Sequence, residues 1–273
     1  MIAFEHARKV FVDPRGAAVV AVDDLVLEIE RGETHCLLGT SGCGKTTTMK
    51  LINRLEEPDS GRVLVDGDDV AEADVIRLRR RIGYVIQTGG LFPHLSVARN
   101  VGLLAELEGR APAQVRARVC ELLELVNLQP TEFAERLPHE LSGGQRQRVG
   151  VARALVLDPP IVLMDEPFGA LDPITRAQIQ AEFKSLLARV QKTVVMVTHD
   201  LAEAFELGDR ITLMHEGRIV QTGTADQLRQ EPATPFVREF LAGHLGYERN
   251  ESSATPERSG SSTTTGRSEG SRP

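Results

Sequence analysis

Short apolar runs recur along the chain, each ended by glycine, proline or a cluster of charges. "THCLL" (Thr34–Leu38), "RIGYVI" (81–86), "IVLM" (161–164), "TVVMV" (193–197) and "ITLM" (211–214) are dominated by Val, Ile and Leu. Apolar runs this short, bounded by turn signals, fit strands buried on both faces. "KTTTMKLINRL" (Lys45–Leu55) follows the first of them and reads as a helix. Strand, glycine loop and helix in succession predict an α/β domain with a mostly parallel sheet. The N-terminal runs "HARKVFV" and "VVAVDDLVLEI" predict instead an antiparallel portion.

The pattern changes between about Pro93 and Leu155, where the chain reads as mostly helical. Val115, Val119, Leu122, Leu123 and Val126 recur at helical spacing on one face. Pro112 suits a first-turn position. A helical subdomain of about residues 91–155 is expected, inserted in a core of about residues 1–90 and 156–247. Asp172-Pro173 reads as an N-cap followed by a first-turn proline, and Thr224 with Gln227 as a capping box. Residues 248–273 are rich in Ser, Thr, Gly and Arg and predict a disordered polar tail. No internal repeat is visible.

Composition narrows the classes. The 273 residues suffice for one large domain or two modest ones, and 41% hydrophobic with 26% charged residues fit a globular protein with a real core. A net charge of −7 argues against nucleic acid as a partner and against attachment to an anionic membrane by charge. No apolar run approaches the roughly 18 residues of a membrane span, and the N-terminus has no signal-peptide core. Cys36, Cys43 and Cys120 form no C-x-x-C pair, as expected in a reducing compartment.

Three stretches carry chemistry. "GTSGCGKTT" (Gly39, Thr40, Ser41, Gly42, Cys43, Gly44, Lys45, Thr46, Thr47) matches G-x-x-x-x-G-K-[ST] between an expected strand and an expected helix, the context that marks a phosphate loop. Its glycines let backbone N–H groups surround phosphates, Lys45 faces the terminal phosphates and Thr46 offers a hydroxyl to Mg²⁺. ATP and Mg²⁺ are the expected ligands. Cys43, inside this loop, predicts an alkylation-sensitive thiol. "IVLMDEP" puts Asp165 and Glu166 at the carboxyl end of a buried strand, where ligands bind in such sheets. Asp165 is placed to hold Mg²⁺ through water, and Glu166 to orient or deprotonate an attacking water. The third, "LSGGQRQRVGVARAL", has Ser142, Gly143, Gly144 and Gln145 opening a helix, a second plausible anion site.

A phosphate loop, then LSGGQ, then a hydrophobic strand ending in Asp-Glu resembles the ATPase subunits of ABC transporters over about residues 2–245. The resemblance implies a P-loop NTPase (RecA-like) core with an N-terminal antiparallel β portion and an inserted helical subdomain. It implies that Gln87 is the Q-loop glutamine at Mg²⁺, and His199 the switch histidine at the γ-phosphate. Asp172 becomes the D-loop aspartate of a dimer interface and Phe11 the aromatic on adenine. It implies a head-to-tail homodimer in which Ser142, Gly143, Gly144 and Gln145 of one subunit face the ATP held by the other. Closure passes to a membrane permease through about residues 88–96, and Glu166 hydrolyses ATP to reopen the clamp. An extracytoplasmic solute-binding protein and a place on the cytoplasmic face of the bacterial inner membrane follow.

"LGTSGCGKTTTMKLINRLEEPDSGRVLVDG" and "IGYVIQTGGLFPH" resemble more closely the importers of quaternary amines such as glycine betaine, carnitine and choline. Regulatory CBS domains, frequent in that group, are not expected in the polar tail. Import of another small solute such as an amino acid, an exporter's ATPase, a soluble ABC ATPase and a nucleotide-dependent scaffold are the alternatives.

Overall fold

In the computed structural model the described residues are 1–87, 90–169 and 172–252, with backbone alone described at 173–175 and 245–252. The strands in chain order are β1 Ile2–Val12, β2 Ala18–Ile29, β3 Thr34–Gly39, β4 Ser60–Val65, β5 Asp68–Asp69, β6 Ile82–Val85, β7 Ile161–Asp165, β8 Thr193–Thr198, β9 Arg210–His215 and β10 Arg218–Gly223. The helices are α1 Lys45–Ile52, α2 Val75–Arg80, α3 Val97–Leu107, α4 Pro112–Leu125, α5 Pro130–Phe133, α6 Gly143–Ala154, α7 Pro173–Val190, α8 Leu201–Leu207, α9 Ala225–Gln230 and α10 Pro235–Ser252.

Two sheets form. The antiparallel one has the order β2-β1-β4-β5, and the larger one β10-β9-β3-β8-β7-β6. In the larger sheet β9, β3, β8, β7 and β6 run parallel, and β10 closes the edge as an antiparallel hairpin with β9. Every short apolar run read as a strand is one, and the N-terminal runs pair antiparallel.

Side chains alternate across the larger sheet, so each strand feeds two cores. Cys36 and Leu38 of β3, Val162 and Met164 of β7, and Val194 and Met196 of β8 pack with α3, α4, α6 and α7. Leu37, Ile161, Leu163, Val195 and Val197 face the other way, toward α1 and the antiparallel sheet. Between β6 and β7 lie α3, α4, α5 and α6. There α3, α4 and α6 pack on one another and α6 also meets β6. Pro112 opens α4, and Val115, Val119, Leu122 and Leu123 form its buried face. The capping box at Thr224 is present in both directions, with 2.9 and 3.2 Å hydrogen bonds to Gln227.

Two boundaries differ from expectation. Helix α1 stops at Ile52, three residues before Leu55. Arg54 takes φ +53°, and the Leu55 N–H folds back to the Lys50 carbonyl at 3.0 Å, a Schellman-type termination. At the C-terminus α10 continues through Ser252, so residues 248–252 of the expected tail are helical. Glu248, Arg249 and Glu251 tolerate a helix that Pro235 has already begun, which a composition window does not register. Residues 253–273 lie outside the described residues, as do Thr88 and Gly89 after Gln87 and Ala170 and Leu171 before Asp172.

Candidate active site

The loop after β3 is built on two glycines that no other residue could replace without displacement. At Gly39, φ +153°, a Cβ would lie 2.3 Å from the Met214 carbonyl oxygen. At Gly44, φ +103°, it would lie 2.1 Å from the Ala21 carbonyl oxygen. Gly42 also has positive φ, +78°, but open space around it. Gly44→Ala should therefore cost about 2–4 kcal/mol through clash plus strain, and Gly42→Ala only about 1–2 kcal/mol through strain. Urea denaturation of the two variants measures the difference, and equal midpoints would refute the close approach at Gly44.

Gly44 is also the N-cap of α1 and brings no side-chain acceptor, which leaves the first-turn N–H groups to an anion. Lys45 is buried, and its ammonium donates to the carbonyls of Gly39 and Thr40, both at 2.8 Å. The cation thus ties the loop to itself and can exchange those carbonyls for phosphate oxygens. The Cys43 thiol does not stand open to alkylation as its place in the loop suggests. It is 3% exposed and belongs to the core beneath α1, because the turn folds its side chain inward against Gly39.

The strand order gathers the other groups. From β3 to β6 the successive neighbours are β8, β7 and β6, and His199, Asp165 with Glu166, and Gln87 follow or end those three strands. All lie at the carboxyl edge of the parallel strands, level with the phosphate loop after β3. Thr46 donates its hydroxyl to Asp165 at 3.0 Å. Burial pushes the Asp165 carboxyl up; the Thr46 hydrogen bond opposes this and the Glu166 charge adds to it. Two adjacent hard oxygens, one on a carboxylate whose charge burial disfavours, fit a Mg²⁺ ion. That ion takes one or two protein oxygens and completes its shell with phosphates and water.

Glu166 sits in a left-handed backbone conformation, φ +42°, with its N–H donating to the Val197 carbonyl at 3.0 Å. Its Oε2 accepts from the Gln87 amide at 2.9 Å, and its Oε1 lies 3.3 Å from His199 Nδ1. A glutamine, a carboxylate and an imidazole therefore converge beside the phosphate loop. Phe11 is 37% exposed and pairs with Val19, two residues from the Ala21 carbonyl that abuts Gly44. This end of the β1–β2 hairpin borders the phosphate loop, and the Lys9 ammonium lies over the Phe11 ring, 5.4 Å from its centroid. Asp172 is exposed at the start of α7, its carbonyl accepting from Arg176.

The LSGGQ residues are not part of this cluster. Among the described residues no hydrogen bond or ion pair joins Ser142, Gly143, Gly144 or Gln145 to the phosphate loop or to Gln87, Asp165, Glu166 or His199. Ser142 is the N-cap of α6. Its hydroxyl accepts from the Gln145 N–H at 3.2 Å, and its own N–H donates to Gln145 Oε1 at 2.9 Å. Ser-x-x-Gln repeats the spacing of Thr224 and Gln227, so this box too is legible in the sequence. At the other end of α6, Arg153 donates to the Gly90 carbonyl at 2.7 Å, linking this helix to the segment after Gln87. The Asn100 amide holds the rest of that segment, bonding Phe92 in both directions and the carbonyls of Leu95 and Ser96. One further acid near the site, Glu203, is buried and carries no motif signal beyond lying four residues after His199.

Residues 22–169, more than half of the chain, match the family model described as ABC transporter. The chain belongs to the ABC transporter family. This ABC chain is 51% identical over 241 residues to the glycine betaine/carnitine/choline transport ATP-binding protein OpuCA of Bacillus subtilis, a match covering 88% of this chain and 62% of that relative. It is 47% identical over 241 residues to the glycine betaine uptake system ATP-binding protein YehX of Escherichia coli, covering 88% of this chain and 76% of the relative. It also matches the dimeric structure of a post-hydrolysis state of an ATP-binding cassette bound to ADP and Pi. The TM-score is 0.73 at 34% identity, covering 82% of this chain and 99% of the other. The cassette spans about three fifths of the length of several of its curated relatives. Its mixed α/β architecture is that of the ABC ATPase fold.

Proposed function

We propose that the chain is the ATP-hydrolysing subunit of an ABC importer for quaternary ammonium osmoprotectants, the glycine betaine, carnitine and choline class. The observation that carries the catalytic part is the convergence of Gln87, Glu166 and His199 beside the Thr46–Asp165 pair and the phosphate loop. The solute class is supported by the names of OpuCA and YehX, and it rests on them.

In this reading residues 39–47 wrap the phosphates of ATP with backbone N–H groups, and Lys45 turns from the Gly39 and Thr40 carbonyls to the terminal phosphates. Thr46 and Asp165, with Gln87 nearby, hold Mg²⁺, which supplies charge against the phosphate oxygens. Phe11 stacks on adenine. Glu166 takes a proton from the attacking water, His199 steadies the γ-phosphate, and Gln87 senses which nucleotide is present. Ser142, Gly143, Gly144 and Gln145 lie apart from this cluster and are already capped, which suits a surface that meets the ATP of a second copy. Asp172 lies at that dimer interface.

Residues 90–96, fixed by Asn100 and tied to α6 through Arg153, then carry closure to a permease. Among the described residues no helix is long and apolar enough to cross a membrane. In this reading the translocation path belongs to the permease, and the chain works on its cytoplasmic face. An extracytoplasmic solute-binding protein delivers the cargo. Uptake of labelled betaine and choline by a strain lacking this chain tests the proposal. Restored uptake on complementation is expected, and unchanged uptake in the deletion strain would remove the solute assignment.

A further inference from the structure

Glu203 is a buried carboxyl that the reaction as proposed leaves without a task. It stands in the first turn of α8 and is 4% exposed. Thr198, the last residue of β8, donates its hydroxyl to Glu203 Oε2 at 2.5 Å. The same hydroxyl oxygen accepts from the Asp200 N–H at 3.0 Å. Asp200 caps α8 through the N–H groups of Ala202 and Glu203, at 2.9 and 3.2 Å, and meets Arg176 of α7 at 3.5 Å. The chain is therefore fastened on both sides of His199, while the imidazole projects outward to within 3.3 Å of Glu166.

The other carboxylate oxygen of Glu203, Oε1, is buried with no hydrogen-bond partner among the described residues. An unpaired buried oxygen is destabilising, and an apolar residue at this helix position would avoid the cost. Burial pushes the Glu203 carboxyl up to about 7; the Thr198 hydrogen bond works against this, and the charge of Asp200 reinforces it. Protonated or ionised, the side chain keeps an oxygen to receive the Thr198 hydroxyl. A stability penalty retained beside the turn that carries His199 is what a geometric role explains.

We propose that Glu203 is a positioning residue, which sets the β8–α8 turn through the Thr198 hydroxyl and so fixes the His199 imidazole relative to Glu166. The inference rests on the reading that His199 and Glu166 serve ATP hydrolysis. The test is steady-state ATP turnover by the full chain carrying Glu203→Ala, Glu203→Gln or Thr198→Val, each alone and combined with His199→Ala.

Glu203→Ala and Thr198→Val should lower kcat about ten-fold and leave KM for ATP within about two-fold, because the phosphate loop is untouched. Glu203→Gln, which keeps an acceptor oxygen, should restore kcat to within about two-fold of the parent. In the His199→Ala background Glu203→Ala should cause no further loss, since the imidazole it positions is gone. An equal loss with and without His199, or a wild-type kcat for Thr198→Val, would overturn the role of Glu203. Thr198→Val, which keeps its side-chain volume, carries that decision even if Glu203→Ala fails to fold. A His199→Ala variant with undiminished turnover would instead overturn the underlying reading of the site.

Discussion

Glu166→Gln should leave ATP binding intact and slow hydrolysis by roughly 10²–10⁴-fold, the usual worth of a positioned general base. The substitution is nearly isosteric, so an oxygen remains to accept the Gln87 amide that now reaches Glu166 at 2.9 Å. The left-handed backbone at Glu166 and its N–H bond to Val197 are unaffected by side-chain chemistry. In the proposed site Lys45, Thr46 and the loop glycines would hold ATP independently of the base, so affinity for ATP should stay within about two-fold of the parent. What disappears is the carboxylate that can accept a proton from water. Phosphate release measured beside nucleotide binding separates the two quantities. Turnover near the parent rate would show that Glu166 is not the base and that the convergence around it serves only structure.

Arginine at position 142 should abolish ATP-dependent dimerisation while monomer affinity for ATP stays within about two-fold, because Ser142 lies outside the nucleotide cluster of its own chain. Two effects are mixed in that variant. Arginine crowds the face expected to meet the second subunit, and it also removes the N-cap of α6, which costs about 1 kcal/mol. Ser142→Asp separates them. Aspartate is a good N-cap and favours the positive end of the helix dipole, so α6 should keep its stability. Its negative charge would nevertheless oppose a γ-phosphate. Both variants should therefore stay monomeric on size exclusion with ATP, each combined with Glu166→Gln to prevent hydrolysis. If Ser142→Asp dimerises as the parent does, the serine does not face phosphate.

The parts legible in the sequence are those specified locally. Buried strands announce themselves as short Val- and Ile-rich runs, and the phosphate loop keeps the same spacing in sequence and in space. Helix α4 was readable from Val115, Val119, Leu122 and Leu123 because its buried face repeats with the helical period. What the sequence hides is spatial order. Gln87, Asp165 and His199 are far apart along the chain, and they adjoin only because β6, β7 and β8 are neighbours in the sheet. No local pattern encodes that adjacency. The inward turn of the Cys43 thiol depends on loop backbone angles, and the early end of α1 on a left-handed Arg54. Glu203 escapes notice for a similar reason, since a glutamate in the first turn of a helix ordinarily reads as a solvated charge near the dipole.

Neighbouring residues of β3, β7 and β8 point into opposite cores, so the sheet insulates one packing unit from the other. Met49 and Leu51 of the phosphate-loop helix belong to one unit, and Val149 and Val151 of the LSGGQ helix to the other. Val119 packs in the same unit as α3 and α6, and Met49 of α1 in the other, so a cavity cut by Val119→Ala should relax first within its own unit. The helical face can thus be repacked with less disturbance to the unit beneath α1. Such a partition lets one side of the sheet change its shape while the other keeps the backbone that surrounds Lys45 in place.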